Sequence, residues 1–247
     1  MWHAVTVEAA INTWRFFKRS GMTWIDLGDP LPREAPEPYV PISWEVCEIC
    51  SLPSFSEVPD RSFGEVLDAR VSRRVFGSVD DHQLGSFLWM ACRTREMRAS
   101  NLGFDLEHRA APSAGAIHPI HVVVKRPGNA RWWLYEPKTH QLLELKHAPA
   151  KLSSLYDLSL QVLQGDQAIR FLFLAEPGKT LGKYQDGASL IWRDAGALLG
   201  VMALTAAAQG LTFCPLGITG EPWASTLADQ GKLAGVGLAL LGSAASN

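Results

Sequence analysis

Three short segments carry residues suited to gripping an anionic, planar ligand. The first is Arg70-Val71-Ser72-Arg73-Arg74-Val75-Phe76. In an extended chain, residues i, i+2 and i+4 share a face, so Arg70, Ser72 and Arg74 present two guanidiniums and a hydroxyl together while Val71 and Val75 turn the other way. Guanidinium forks bond phosphate oxygens in pairs and the hydroxyl adds a donor, a set that suits a phosphate. A solvated basic turn has the same spacing. The second is Pro112-Ser113-Ala114-Gly115-Ala116-Ile117-His118-Pro119. Small residues let the backbone approach a flat ligand, and its N–H groups can then bond ring heteroatoms. An ordinary proline-flanked strand entry looks alike. The third is Cys214-Pro215-Leu216-Gly217-Ile218-Thr219-Gly220. Its proline and glycines imply a non-regular turn with N–H groups free to face a ligand over the end of a sheet, or an unremarkable loop.

The elements that must position these segments follow from length and pattern. A chain of 247 residues is one large domain, or a domain with an extension. Hydrophobic residues at 47% against 19% charged supply a buried core and exclude disorder. The 23 basic residues are scattered and outnumbered by 25 acidic ones, which excludes a surface for tracking nucleic acid. Four cysteines are too few for a disulfide framework, and no cationic stretch precedes a continuous apolar run at the N-terminus, so a cytoplasmic protein is expected. The most apolar stretch, Ala195–Ala208, is shorter than the roughly 18–20 residues that cross a bilayer. It reads as a core helix, with no membrane association.

The first sixty residues differ from the rest. Glu8–Lys18 suits a short amphipathic helix. Pro30, Pro32, Pro36, Pro38 and Pro41 then exclude regular helix or sheet. Trp24, Tyr39 and Trp44 imply an extended arm packed on the main domain or a partner subunit. Beyond it, Ser62–Ala69 reads as a helix, and Asp80 with Gln83 caps a helix to about Met97. Ile120–Lys125, Arg131–Glu136 and His140–Leu145 read as antiparallel strands. A helix at Pro149–Gln164 precedes Ile169–Ala175, whose unbroken apolar run suits a strand covered on both faces. Ser189–Gln209 is the longest helix, closed by Gly210. Strands at Leu211–Cys214 and Val236–Leu241 flank a possible helix at Trp223–Gln230. The pattern is α+β: a mixed central sheet flanked by helices, with an arm over 1–60 and a domain over 61–247.

The order of these segments, from about Arg61 to Gly242, resembles the nitroreductase family of FMN-dependent flavoproteins. Within it the chain is most similar to the SagB-type branch, azoline dehydrogenases that oxidise thiazoline or oxazoline rings in modified peptides. The lead-in Ser51-Leu52-Pro53, the R-x-S-x-R-x-F segment and the PSxG loop carry the likeness. The resemblance implies that Arg70, Ser72 and Arg74 hold the FMN phosphate and that Pro112, Ser113, Ala114 and Gly115 line the isoalloxazine. It implies that Pro215, Leu216 and Gly217 cover the other side, with an N–H at or near Gly217 toward flavin N5. Hydride arriving at N5 leaves negative charge near N1 and O2, which fixed backbone donors stabilise without reorganising. Lys183-Tyr184 matches a pair tied to catalysis in that branch. Ring oxidation removes a Cα proton while hydride leaves, and a lysine held neutral or a paired tyrosinate can take that proton.

The chain departs from the family in two places. Ala116 stands where an asparagine is common, and the sequence ends Ser243-Ala244-Ala245-Ser246-Asn247 without the usual basic residues. Lys125, Arg126 or a partner-subunit side chain would then complete the phosphate clamp. The resemblance further implies a homodimer with the flavin at the subunit boundary, a modified peptide or small molecule as substrate, dioxygen or another acceptor, and a place in a peptide-modifying complex. Two other readings are an NAD(P)H-dependent nitro- or quinone reductase, and a degenerate or partner flavoprotein with little activity. Cys47-x-x-Cys50 is a redox pair or half a zinc site by pattern, but no second pair or His-x₃₋₅-His accompanies it, so the cysteines read as small core residues and no metal is expected. His118 and His121 read as structural, and Arg193-Asp194 as local ion pairing at the head of the long helix.

Overall fold

The computed structural model describes residues 27–53, 60–229 and 231–244. The expected Glu8–Lys18 helix and Trp24 lie outside these. The chain runs β1 (Leu31–Pro32), β2 (Val46–Ser51), α1 (Phe63–Ala69), α2 (Asp81–Cys92), β3 (Glu96–Arg98), β4 (Leu106–His108), β5 (Ile120–Lys125), β6 (Trp132–Glu136) and β7 (Gln141–Leu145). It continues with α3 (Ala148–Lys151), α4 (Ser153–Val162), β8 (Ile169–Ala175), α5 (Pro177–Leu181), β9 (Tyr184–Gln185), α6 (Ala188–Ala208), β10 (Leu211–Leu216) and β11 (Ala234–Ser243).

Seven strands form one sheet in the order β10-β11-β8-β5-β6-β7-β2, helices covering both faces as the α+β pattern implies. Every neighbouring pair is antiparallel, so the sheet is not mixed as expected. The reason lies in α6. At 1.5 Å per residue its 21 residues carry the chain about 30 Å back to the end of the sheet where β8 began. Thus β10 runs the same way as β8, and β11 pairs antiparallel between them. β8 is buried at all seven positions because helices cover both faces. On one face Phe87, Leu88, Ile191, Ala195 and Met202 of α2 and α6 pack on Val122, Val124, Phe171, Phe173 and Phe213. On the other, Leu152 and Leu155 pack on Val123, Trp132, Leu172, Leu174 and Leu238.

Several boundaries differ from the sequence reading. Helix α2 stops at Cys92 rather than near Met97: Arg93 turns extended, and its Nη1 donates to the Trp89 carbonyl at 2.8 Å. Met97 falls in the β3–β4 hairpin. The Pro149–Gln164 helix is split at Leu152, and Trp223–Gln230 contracts to a 3-10 turn at Ala224–Leu227. Helix α6 contains the apolar 14-residue run but is longer, and its mean hydropathy of 1.4 would suit a membrane span by composition. It instead packs Ile191, Ala195, Leu198, Met202 and Ala206 into the core.

The extension contributes to the sheet. β2, which carries the free thiols of Cys47 and Cys50, is an edge strand on β7, and Leu31–Pro32 pairs with β9 despite the prolines. Between these strands the arm crosses a buried carboxylate. Glu176, with no exposed surface, accepts from Ile42 N–H at 2.6 Å and bonds His121 Nε2 at 2.8 Å. Trp44 meets the His121 ring edge-on. Burial pushes the Glu176 carboxyl up, but the His121 hydrogen bond and charge, the Ile42 N–H and Lys179 together hold it below the usual carboxylate range. A lowered folded value means that this stabilisation is complete above the ordinary glutamate pKa of about 4.3 and is lost as pH falls through the folded value. Glu176→Ala leaves buried donors unpaired, at a cost of about 1–3 kcal/mol. It is expected to accelerate amide exchange at Ile42 and Trp44 at neutral pH, as acidification below about pH 4 does in the unsubstituted protein. Unchanged exchange would show that the carboxylate does not hold the arm.

Candidate functional site

The Pro112–His118 segment forms a tight, unusual turn. Ser113 is extended, Ala114–Ala116 make a 3-10 turn, and Gly115, Ala116 and His118 take positive φ values of 63°, 59° and 48°. Glycine adopts such angles freely; alanine does so at a cost of about 1 kcal/mol, which asparagine reduces by local hydrogen bonding. Ala116 is therefore strained at the position where the resemblance puts asparagine, and something must hold it there.

That holder is Asp194 of α6, which sequence reading had assigned to ion pairing. Its carboxylate accepts from Ser113 Oγ at 2.5 Å and from Ala114 N–H at 3.0 Å, and Ser113 Oγ in turn accepts from His118 N–H at 2.9 Å. Asp194 is buried, so its carboxyl is pushed up by desolvation, and the two donors only partly reverse this. No local pattern shows a contact spanning 81 residues. The Ala114, Ala116 and His118 N–H groups are thus committed within the turn, which narrows the expected set of donors to a ring. His118 is half-buried next to Arg109. Burial first, then that guanidinium, push its imidazole down to about 4, so it is neutral at pH 7.

Lys183 and Tyr184 arrive at the same turn. A Cβ on Gly115 would lie 2.6 Å from Lys183 Nζ and 2.8 Å from Tyr184 Oη, so both head groups close on the turn at this glycine and a larger residue would displace them. Tyr184 packs against Ala116, Ile117 and Leu106, and Lys183 Nζ sits 5.5 Å from the centre of the Tyr184 ring. Beside the turn, Pro112, Ser113, Ala116 and His118 share a cavity of about 530 Å³ with the β3–β4 hairpin. Its volume falls in the range of small-molecule sites.

The remaining expected residues lie elsewhere in the chain. Arg70 to Val75 forms no regular element and is exposed; Val71 and Val75, expected to turn away from the arginines, are 50% and 65% exposed. Among the described residues Arg70, Arg73 and Arg74 make no ion pair and the Ser72 hydroxyl has no partner. Phe76 packs with Ala168, Cys214 and Leu240, and Gly77 bridges Ser243. Pro215 and Leu216, expected in a turn, continue strand β10 and pair with Ala239 and Leu238. β10 is an edge strand, where a missing N–H is tolerated. Gly217 follows, exposed. The ends of β11 place the two groups: Ala234 is level with Ile120 beside the Pro112–His118 turn, and Ser243 lies by Gly77. Ten residues at about 3.3 Å each put these ends about 30 Å apart. One chain brings the turn together with Lys183 and Tyr184 but leaves Phe76–Gly77 toward the far end of β11, while Pro215 and Leu216, paired with Ala239 and Leu238, lie part-way along the strand between them. Of the two residues named to complete the phosphate clamp, Arg126 keeps Nε and Nη2 without a hydrogen-bond partner among the described residues. Lys125 Nζ is spent on the Arg126 and Asn129 carbonyls, and Arg126 pairs with Asp81 at 2.8 Å.

The family model for nitroreductases matches residues 68–228, which span every one of these segments. The chain belongs to the nitroreductase family. Among solved structures it is similar to a protein of Ralstonia eutropha JMP134 assigned as a nitroreductase, at 22% identity and a TM-score of 0.58 over 89% of this chain and 99% of that one. A protein of Anabaena variabilis ATCC 29413 with the same assignment matches at 18% identity and a TM-score of 0.57, over 94% of this chain but 46% of that one. The E. coli microcin synthetase McbBCD complex, bound to truncated pro-MccB17, contains a chain matching at 16% identity and a TM-score of 0.55, with 100% and 99% covered. No curated protein matches.

Membership makes this nitroreductase-family chain a flavin-dependent oxidoreductase with FMN as its cofactor. The residues present fit that group: uncommitted guanidiniums with a hydroxyl for a phosphate, and a glycine-bearing turn open to a cavity for a planar ring. Asp194→Ala removes the acceptor of two half-buried donors, at a cost of about 1–3 kcal/mol. It is expected to weaken FMN binding, read by flavin fluorescence titration, by about tenfold or more. Unaltered affinity in a folded variant would show that the turn needs no anchor.

Proposed function

We propose that this protein oxidises azoline rings in modified peptides, with Lys183 and Tyr184 as the proton-accepting pair. The observation that carries the proposal is their convergence on Gly115 at the centre of the Pro112–His118 turn. FMN, when bound, supplies the hydride acceptor. The residues that would hold it are Arg70, Ser72 and Arg74 at the phosphate, with Pro112, Ser113, Ala114, Gly115, Pro215, Leu216 and Gly217 around the ring. The chain's own part in the chemistry is a proton transfer. Lys183 Nζ or Tyr184 Oη takes the Cα proton of the ring as hydride leaves the adjacent carbon, so the azoline gives up two electrons and two hydrogens and becomes an azole. The cavity against the β3–β4 hairpin gives room for the peptide beside the ring. The likeness to a synthetase complex holding a pro-peptide supports a peptide substrate and partners that prepare it.

We further propose a homodimer. The phosphate-binding segment and the glycine turn lie toward opposite ends of one chain's sheet, and a two-fold partner would supply one group to the other. α6 offers an apolar face for this purpose: a Cβ on Gly196 or Gly200 meets nothing within 4 Å. Phe63 and Leu67 of α1, which packs on α6, are 68% and 49% exposed.

Anaerobic mixing of the FMN-loaded protein with a synthetic thiazoline peptide tests the activity. Bleaching of the flavin is expected, with Lys183→Met and Tyr184→Phe each slowing it by about a hundredfold while dithionite still reduces the flavin. No bleaching by the peptide, with rapid turnover of NADPH and a quinone unaffected by either substitution, would instead mark a nitro- or quinone reductase.

A further inference from the structure

We propose that Arg33 is a positioning residue for the Lys183–Tyr184 pair, acting through a strap formed by residues 31–39 of the arm. The inference rests on the reading of that pair as the proton acceptor. Three consecutive carbonyls approaching the pair each accept a hydrogen bond from the strap. Arg33 Nε donates to Leu181 O at 2.8 Å, Glu37 N–H to Gly182 O at 2.8 Å, and Arg33 N–H to Lys183 O at 2.9 Å. Arg33 Nη1 also pairs with Glu37 at 3.2 Å, which ties two of the three donors together. Pro32 and Leu31 then extend the contact by pairing with Tyr184 and Gln185.

The need for a strap follows from the local chain. Helix α5 has five residues, too few to persist without outside support, and its final carbonyls have no partner further along the helix. A guanidinium at a helix C-terminus meets both the unpaired carbonyls and the negative end of the dipole. Among the described residues the Lys183 side chain makes no hydrogen bond, and its ring contact with Tyr184 is within the pair. Its placement over Gly115 therefore depends on where the backbone of 181–185 is held. Contact between strap and loop is close. A Cβ on Gly182 would lie 2.6 Å from Glu37 O, and one on Gly178 would fall 2.1 Å from the Tyr39 ring. Among the described residues the strap makes no hydrogen bond to a residue assigned to FMN, so it can be loosened without removing a cofactor contact.

Arg33→Ala, Arg33→Lys and Lys183→Met in the full-length, FMN-loaded protein test this, with steady-state oxidation of a thiazoline peptide across pH, flavin content and thermal midpoint measured for each. Loss of geometry at the pair predicts that Arg33→Ala lowers kcat by about ten- to hundredfold. KM and flavin content stay within about twofold, and the alkaline or acid limb of the kcat profile that disappears in Lys183→Met is displaced. Arg33→Lys keeps the main-chain bond and a cation, and is expected to recover part of the rate. If Lys183→Met abolishes oxidation but Arg33→Ala does not alter kcat, or lowers rate only in proportion to lost flavin and thermal midpoint with the pH profile unmoved, Arg33 is not a positioning residue. If Lys183→Met oxidises the peptide normally, the proton-acceptor reading fails first and the role of Arg33 falls with it.

Discussion

A single buried carboxylate fixes the geometry on which the site depends. Asp194 is rooted in α6, the longest helix among the described residues and one packed on the sheet, and it bonds a side-chain hydroxyl and a backbone N–H of a turn 80 residues earlier. Three residues of that turn hold left-handed angles, two of them not glycine. Without a buried acceptor, the turn would relax toward ordinary extended chain, since left-handed alanine and histidine have no local reason to persist. Burial makes the bonds stronger and their loss costlier, because a donor left inside cannot turn to water.

The second constraint is the arm. It runs from the strap over Leu181–Lys183, past Glu176 and His121, and into the sheet as strand β2. The Pro112–His118 turn is thus held by the core helix, and the Lys183–Tyr184 pair that faces it by a segment rich in proline. Proline restricts the unfolded arm, so ordering it against the domain costs less entropy than for a typical extended segment. The Glu176 cluster gives it a polar anchor where an irregular segment has few apolar contacts to offer.

Much of this was legible in the sequence, for reasons that can be named. The Asp80–Gln83 capping box, the apolar run of β8 and the Gly210 stop after α6 are local signals, and local chemistry decides them. Arg70, Ser72 and Arg74 lie on an exposed segment with no regular structure. What stayed hidden depends on distant partners. Asp194 looks like any helical aspartate until Ser113 is beside it. Pro215 looks like a turn residue until β10 is known to be a sheet edge, and Val46–Ser51 reads as part of an irregular arm until β7 offers it a partner. Antiparallel order across the whole sheet likewise follows from where α6 returns the chain, which no window of residues records.

We propose that the Pro112–His118 turn, held by Asp194 and faced by Lys183 and Tyr184, is one wall of the flavin site. A crystal structure with FMN bound tests it most directly. The expected result is the ring system against Gly115 with the Lys183 and Tyr184 head groups beside it, and the phosphate on Arg70, Ser72 and Arg74 contributed by the second copy. A ring seated away from Gly115, with the turn left facing solvent in the loaded protein, would contradict it.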